Sequence, residues 1–544
     1  MLSKYLLSGG TLRGDFHVFE THHMMVPVIV HAMGTHVRSC IRPQHTTQGR
    51  QYMITTIEES SLFRIVNPRS IAFFGASNNF MRMGSIMLSS IEALGYEGAI
   101  YPVHLTEEQV RGHRAYGSVL DLPEIPDLAI IVLPTEVVCH AMEECGRKGI
   151  SHAIVVSGGF KESGPEGAAR QRDLEQIADA YGIRFLGPNC LGMANPHLKL
   201  NPTPLPAEGP PGFVGLASQS GSFITQMFNY LHRHGLGFSA ALSVGNEANI
   251  DIVECMEYLG ACPNTKVIAL YIEGITRGRE FMETARAITP HKPIVALYVG
   301  GSEAGKRAGL SHTGSMAGPD EIYDGMFRQS GIIRAQTLPE LFDFCLALGT
   351  LPKPRGNRVI IQTHSGGPGA VAADSLGREG LALPPLSSDT IRKLRGIIPK
   401  TASTNNPVDM TFSKNHMDDF YRIPDILLQE ENADMLLIYF LTPDVFIERG
   451  MQNLGVPPDT IREEVQKLIT QNVEAFFSLT KKYDKPIIGY TYRSLQEKMV
   501  KSLLERGVPI YQGPERAARA MAALLDYHKR REKLIPDKVP GGGG

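Results

Sequence analysis

The sequence predicts an α/β protein built of three consecutive parallel-sheet domains. Short apolar runs, many of them β-branched, alternate with helix-compatible stretches along most of the chain. Most of these runs close on glycine, serine or asparagine, the residues of turns that lead a strand into a helix. At 544 residues there is room for three such units.

Composition narrows the function. The chain is 42% hydrophobic and 20% charged, ordinary for a protein with a large core. A formal net charge of −2 supplies no field toward nucleic acid or an anionic membrane, so neither partner is expected. No apolar run reaches the roughly 18 residues that a membrane span needs. Seven cysteines are scattered without a CxxC pair, the pattern of reduced thiols in a cytoplasmic protein. No metal site is expected.

The two ends differ from the rest. Residues 1–53 are expected to be a disordered extension upstream of a start at Met53. That stretch has six histidines and no sustained periodicity. The irregular histidine spacing argues against a metal site, and poor amphipathicity against a transit peptide. Residues 531–544 end in four glycines and are expected to form a flexible tail.

The first domain is expected over 54–200. Ser70 to Ser77 is an apolar run ending in the small turn Gly75-Ala76-Ser77, and a helix follows from Gly84 to Leu94. Further strands are expected at Gly98–Val103, Leu128–Leu133, His152–Val156 and Ile183–Leu186. A doubly wound sheet binds its ligand at the carboxyl ends of its strands, here near Gly75–Asn78, Pro134 and Ser157-Gly158-Gly159. The turn lacks the G-x-G-x-x-G pattern, and His104 stands where a dinucleotide reader places an acid. NAD is therefore disfavoured. Another adenine nucleotide with a pyrophosphate, such as coenzyme A, suits the same crevice, and spacing alone does not choose it.

The second domain is expected over 205–350. The strand Gly212–Ala217 leads to Ser218-Gln219-Ser220-Gly221-Ser222 and a helix from Phe223 to Arg233. Ser220, Gly221 and Ser222 at a helix start offer free N–H groups and the positive end of a dipole, a phosphate cradle. Val267–Gly274 is a strand carrying Glu273 at its carboxyl end. His312 stands in Gly309-Leu310-Ser311-His312-Thr313-Gly314-Ser315-Met316-Ala317-Gly318, between the strand Val295–Val299 and a helix over Asp320–Gln329. Neutral imidazole on a glycine-rich loop is a nucleophile able to visit two sites. In a parallel sheet His312, Glu273 and the Ser220 turn would share one rim. They form a set of nucleophile, orienting carboxylate and anion cradle.

The third domain is expected over 355–530. It has strands at Val359–Thr363, Met435–Leu441, Pro486–Tyr490 and Val508–Tyr511, and a helix from Ala370 after His364-Ser365-Gly366-Gly367-Pro368-Gly369. Asn405-Asn406-Pro407-Val408-Asp409 is expected to be a capped turn. No complete catalytic set is seen here, and packing or subunit docking is the expected role.

These motifs in this order resemble the nucleoside-diphosphate-forming acyl-CoA synthetases. The likeness is to their alpha subunit and, more distantly, to the alpha subunit of succinyl-CoA synthetase. It rests on Gly75-Ala76-Ser77, Tyr101-Pro102-Val103, Ser157-Gly158-Gly159-Phe160, Gly187-Pro188-Asn189-Cys190-Leu191-Gly192, Ser218-Gln219-Ser220-Gly221, Val244-Gly245-Asn246-Glu247, Ser311-His312-Thr313-Gly314-Ser315 and Asn405–Asp409. It covers about residues 60–530. The resemblance implies a Rossmann-like coenzyme A domain followed by two flavodoxin-like domains of the succinyl-CoA synthetase type. It implies coenzyme A contacts from Gly75, Ser77, Asn78, Val103, Pro134, Ser157, Gly158 and Asn189. It further implies that His312 is phosphorylated, that Glu273 hydrogen-bonds it, and that Ser220, Gly221 and Ser222 hold the phosphate. The reaction would interconvert acyl-CoA, phosphate and ADP or GDP with carboxylic acid, coenzyme A and ATP or GTP. His364 departs from the family, which usually has asparagine before Ser-Gly-Gly. No ATP-grasp domain is recognised, so a separate beta subunit would supply magnesium and nucleotide. The alternative is a non-catalytic protein that binds or senses acyl-CoA.

Overall fold

The computed structural model describes residues 56–207, 209–305, 318–411, 418–441 and 444–535. His312, the 1–53 extension and residues 536–544 lie outside the described residues. The helix Pro514–Leu534 carries regular structure past residue 530, where the tail was expected.

The first sheet contains β1 (Ser70–Phe74), β2 (Ala99–Val103), β5 (Leu128–Ile131), β6 (His152–Val155) and β7 (Arg184–Leu186), in the order β2-β1-β5-β6-β7. A small hairpin, β3 (Gln109–Val110) and β4 (His113–Arg114), follows β2. The second sheet contains β8 (Met193–Ala194), β9 (Val214–Ser218), β10 (Phe238–Ser243), β11 (Val267–Ile272), β12 (Ile294–Tyr298) and β13 (Ile333–Ala335), in the order β13-β12-β11-β9-β10-β8. The third contains β14 (Val359–Thr363), β15 (Val408–Asp409), β16 (Met435–Tyr439), β17 (Ile487–Thr491) and β18 (Ile510–Gln512), in the order β15-β14-β16-β17-β18. All pairings within the three sheets are parallel except β8, which runs antiparallel beside β10. Leaving β8 aside, each sheet repeats one order, in which the chain moves outward from its first strand and then crosses to the other side. The ligand crevice of such a sheet opens at that crossing, between its first and third strands.

Every residue of β1, β9, β12 and β14 is buried, as expected for parallel strands covered on both faces. Alternation along the strands divides the second sheet between two cores. Val267 and Ala269 of β11, with Val295 and Leu297 of β12, pack into the core shared with the third sheet. Ile268, Leu270 and Ile272, with Ile294, Ala296 and Tyr298, pack into the core shared with the first.

Two local expectations in the third unit are corrected. Val408–Asp409 is a strand beside β14 rather than only a turn. Asn406 makes this pairing possible, since its Nδ2 donates to Val359 O (2.8 Å) and its Oδ1 accepts from Ile361 N (3.0 Å). The helix expected from Ala370 begins at Gly366, with Pro368 in its first turn, where no N–H is required.

The last helix fastens the third sheet to the second. Tyr527 Oη donates to Thr289 O at 2.9 Å, and Arg530 Nη1 to Ile332 O at 2.7 Å. Arg516 grips Asp343 with two bonds of 2.7 Å, and Asp343 is only 4% exposed. Arg516→Met leaves that carboxylate buried without its cation. It is expected to lower the unfolding free energy by about 3–5 kcal/mol in chemical denaturation. Arg378→Ala, which breaks the exposed pair with Asp374, is expected to leave the midpoint unchanged.

Candidate active site

The first crevice is framed by backbone that only glycine permits. Gly75 has φ +94°, and a Cβ there would lie 1.9 Å from Val132 O. A Cβ on Gly84 would lie 2.3 Å from Gly75 O, so the following helix can sit directly against the turn. Ser77 N donates to Ser85 Oγ (3.0 Å), and that hydroxyl donates back to Ser77 O (2.8 Å).

The neighbouring strand ends are tied together. Ser157 Oγ donates to Leu133 O (2.5 Å) and accepts from Leu133 N (3.1 Å). Thr135 Oγ1 donates to Gly158 O at 2.5 Å, and Asn189 N donates to Ser157 O at 2.9 Å. Pro134 precedes the helix Thr135–Lys148, whose start has no side-chain cap. Val103 ends β2 on the same rim. Asn78 has a different engagement. Its Nδ2 donates to Glu107 Oε2 (2.6 Å) and Gln109 O (2.8 Å), and its Oδ1 accepts from Arg111 N (3.0 Å). It holds the β3–β4 hairpin against the crevice.

The second crevice opens between β9 and β11. Ser218 Oγ accepts from Ser220 N (3.1 Å) and donates to Ser220 O (2.8 Å), fixing the turn before the helix Gly221–Arg233. Ser220 sits at the N-cap, yet its hydroxyl caps nothing and lies 3.4 Å from Ser222 Oγ. The first-turn N–H groups thus have no side-chain cap, the arrangement of helix starts that take an anion. Glu273 follows β11 directly.

The two crevices meet. The Gly187–Gly192 loop leaves β7 and crosses to the second sheet. Asn246 N donates to Pro188 O at 2.9 Å, and Ala248 N to Gly187 O at 3.2 Å. A Cβ on Gly245 would lie 2.3 Å from Pro188 O, and one on Gly221 would lie 2.9 Å from Leu191 N. The Ser220 turn and the Ser157–Asn189 rim therefore flank a single loop.

His312 lies outside the described residues, but the chain on either side of it is anchored to this place. Tyr298 at the end of β12 stacks on Tyr323, centroids 3.6 Å apart, and donates to Gly318 O at 2.8 Å. Tyr323 Oη accepts from Ile275 N at 3.1 Å, two residues past Glu273.

Sequence reasoning assigned no role to Gln219, Asn246, Glu247 or Glu162, although three of them stand in the quoted motifs. Gln219 is 8% exposed, and its amide is used on both sides. Oε1 accepts from Glu273 N (2.5 Å) and Gly274 N (3.0 Å), while Nε2 donates to Gly274 O (2.7 Å) and Glu247 Oε2 (2.8 Å). The signal was a long polar side chain between two serines at a strand end.

Burial raises the Glu247 carboxyl to about 7, against hydrogen bonds from Gln219 and Ile252 N. Asp251 adds to the rise and Lys161 opposes it. Burial also raises Glu162, but bonds from Asn246 and from nearby backbone N–H groups more than offset it, leaving its carboxyl below the usual range. Because the folded pKa of Glu247 exceeds its unfolded value of 4.5, this group weakens the fold as pH rises through 4.5 to about 7. The loss is on the order of 3 kcal/mol. Unfolding free energies measured from pH 4 to 8 are expected to fall over this window in the native chain, and to fall less in Glu247→Gln.

The comparisons with known proteins match this arrangement. The family model for a CoA binding domain matches residues 69–196, and that for a succinyl-CoA ligase like flavodoxin domain matches 211–348. The alpha subunit of the ADP-forming acetate–CoA ligase II of Pyrococcus furiosus is 39% identical, over 85% of this chain and 97% of that subunit. The ADP-forming acetate–CoA ligase I of Archaeoglobus fulgidus is 36% identical over 86% of this chain, which spans 64% of that longer relative. Among solved structures, acetyl-coenzyme A synthetase 1 of Ca. Korarchaeum cryptofilum, in complex with phosphate and ADP, is 31% identical with a TM-score of 0.74. That match covers 87% of this chain and 98% of the solved one. By this identity and coverage the chain belongs to the nucleoside-diphosphate-forming acyl-CoA synthetases, with the alpha subunits of ADP-forming acetate–CoA ligases as relatives.

Proposed function

We propose that this chain is the phosphohistidine-bearing alpha subunit of an acyl-CoA synthetase. Coenzyme A and its acyl thioester enter the first crevice, framed by Gly75, Ser77, Asn78, Val103, Pro134, Ser157, Gly158 and Asn189. Phosphate attacks the thioester carbonyl, the C–S bond breaks, and acyl-phosphate and free coenzyme A result. The His312 imidazole then attacks phosphorus, an N–P bond forms, and the carboxylate leaves. Glu273 orients the imidazole, and Ser220, Gly221 and Ser222 hold the phosphoryl oxygens. The uncapped helix start stabilises that dianion by roughly 1–2 kcal/mol in a partly buried setting. Phosphohistidine passes its phosphoryl group to ADP or GDP, and the reverse direction activates an acid at the cost of nucleotide.

One observation carries this reading: the bare helix start at Ser220 adjoins both the end of β11 at Glu273, through Gln219, and the loop that borders the first crevice, through Gly221. The longer relative, of which this chain spans 64%, leaves room for an ATP-grasp part, here a partner subunit that would supply magnesium and nucleotide. A small carboxylic acid is the expected co-substrate, as the names of the acetate–CoA ligases suggest. These ligase relatives leave little support for a non-catalytic acyl-CoA sensor. Among the described residues no helix is long and apolar enough to cross a membrane. The free cysteines, five of the six described being buried, suit a cytoplasmic location.

The test is peptide mass spectrometry at alkaline pH on the chain incubated with an ATP-grasp beta subunit, magnesium and ATP. An acid-labile phosphoryl group on the His312 peptide, absent in His312→Ala, is the expected result. An unmodified His312 peptide in the assembled complex would overturn the reading. Glu273→Gln is expected to slow the phosphorylation by about 10²-fold.

A further inference from the structure

The Gly245-Asn246-Glu247 loop after β10 sends two side chains in opposite directions. Asn246 reaches toward the first sheet. Its Nδ2 donates to Glu162 Oε2 (2.6 Å) and Gln171 Oε1 (3.1 Å), and its Oδ1 accepts from Asn189 Nδ2 (3.3 Å). Its carbonyl accepts from Lys161 Nζ at 2.7 Å. Glu162 Oε1 in turn accepts from Gly159 N (2.6 Å) and Phe160 N (3.1 Å).

Glu247 reaches the other way. Its Oε1 accepts from Ile252 N at 2.9 Å, and its Oε2 accepts from Gln219 Nε2 at 2.8 Å. Gln219 is the residue that clasps the backbone of Glu273 and Gly274. An unbroken line of short contacts thus runs from the Gly159 loop of the first crevice to the backbone of Glu273. Glu247 stands in this line at φ +53°, a left-handed conformation uncommon for a glutamate. Asn189, the Asn246 partner, is also left-handed at φ +58°. Asparagine takes this conformation readily, whereas a glutamate held in it is the kind of local strain that clusters at functional sites.

We propose that Gln219 and Glu247 are positioning residues for phosphoryl transfer: Glu247, fixed to the first sheet through Asn246, aims Gln219, and Gln219 sets the backbone from which Glu273 meets the phosphohistidine. This rests on the reading of His312 and Glu273 given above. Neither residue touches substrate. Their role is to deny the end of β11 the freedom of an ordinary loop, because a misplacement of about 1 Å at a reacting group costs up to about 10²-fold in rate. The pair has a directional chemistry that can be reversed. When ionised, Glu247 offers only acceptors, and Gln219 Nε2 donates to it. Exchanging the two side chains keeps a donor facing an acceptor, keeps an acceptor for Ile252 N, and keeps an oxygen for the N–H groups of Glu273 and Gly274, but it takes from Gly274 O the donor that Gln219 Nε2 supplies.

The experiment uses the complex with the beta subunit, acetyl-CoA as the acyl probe, and four chains: native, Gln219→Met, Gln219→Glu, and the exchanged Gln219→Glu/Glu247→Gln. Steady-state kinetics, calorimetric coenzyme A affinity and the His312 phosphorylation rate are measured on each. Gln219→Met is expected to lower kcat and the phosphorylation rate about 10–100-fold while the coenzyme A affinity changes less than about twofold. Gln219→Glu places two carboxylates 2.8 Å apart. They must share a proton, so its rate profile is expected to shift toward acid pH. The exchanged pair, which removes the second carboxylate but still lacks a donor for Gly274 O, is expected to lose that pH shift and to recover part of the rate lost in Gln219→Glu. Native kcat in Gln219→Met, or no gain of the exchanged pair over Gln219→Glu while coenzyme A still binds, would overturn the inference. Should Gln219→Met fail to fold, the pH shift and the exchange decide alone. If the native complex itself shows no phosphohistidine, the failure belongs to the reading of His312 instead.

Discussion

The structure depends on the approach of Gly245 to the carbonyls of Pro188 and Asn189. With a would-be Cβ 2.3 Å from Pro188 O, the two loops are closer than any side chain allows. This contact joins the carboxyl-terminal rims of two sheets that would otherwise present separate crevices. Backbone bonds from Asn246 N and Ala248 N to the same loop hold it in register. In the proposed reaction the thioester and the phosphoryl carrier need adjoining places, and adjacency is set here by main chain rather than by adaptable side chains.

The second sheet is suited to carry that junction because neither of its faces is free. Alternate residues of β11 and β12 pack into different cores. A shift of one residue in either strand would turn the apolar sets into the wrong core. Glu273 therefore follows a strand whose register is fixed from both sides before any hydrogen bond is counted. The third unit contributes to this through the last helix, whose Arg516 and Tyr527 reach Asp343 within one helix of the second unit and Thr289 at the end of another.

The fold class was legible because parallel strands covered on both faces read as continuous apolar runs. β10 did not read that way. Its sequence Phe-Ser-Ala-Ala-Leu-Ser looks like loop, yet Ser239 is buried and pairs with Thr265 at 2.7 Å. β13 has three residues and too little pattern to find. The short β3–β4 hairpin was invisible too, so Asn78 was read only as a ligand contact and its hold on that hairpin was missed. The rim residues were visible as small-residue turns at strand ends. The role of Gln219 was not, because its partners lie 28 and 54 residues away in sequence and meet only when three strands converge. Asn406 shows the same limit. Its cap-like sequence hid a side chain that stands in for a strand neighbour.

One short element bears on how this chain could be divided. β8 lies before residue 200, among the residues expected to belong to the first domain, yet it pairs antiparallel with β10 on the outer edge of the second sheet. It covers N–H and C=O groups that an edge strand otherwise offers to any passing chain. The second unit thus borrows its edge protection from the polypeptide that precedes it. A fragment cut between 200 and 205 would uncover the flank of β10 and invite strand addition between copies. Its boundary in sequence and its boundary in solubility are different places.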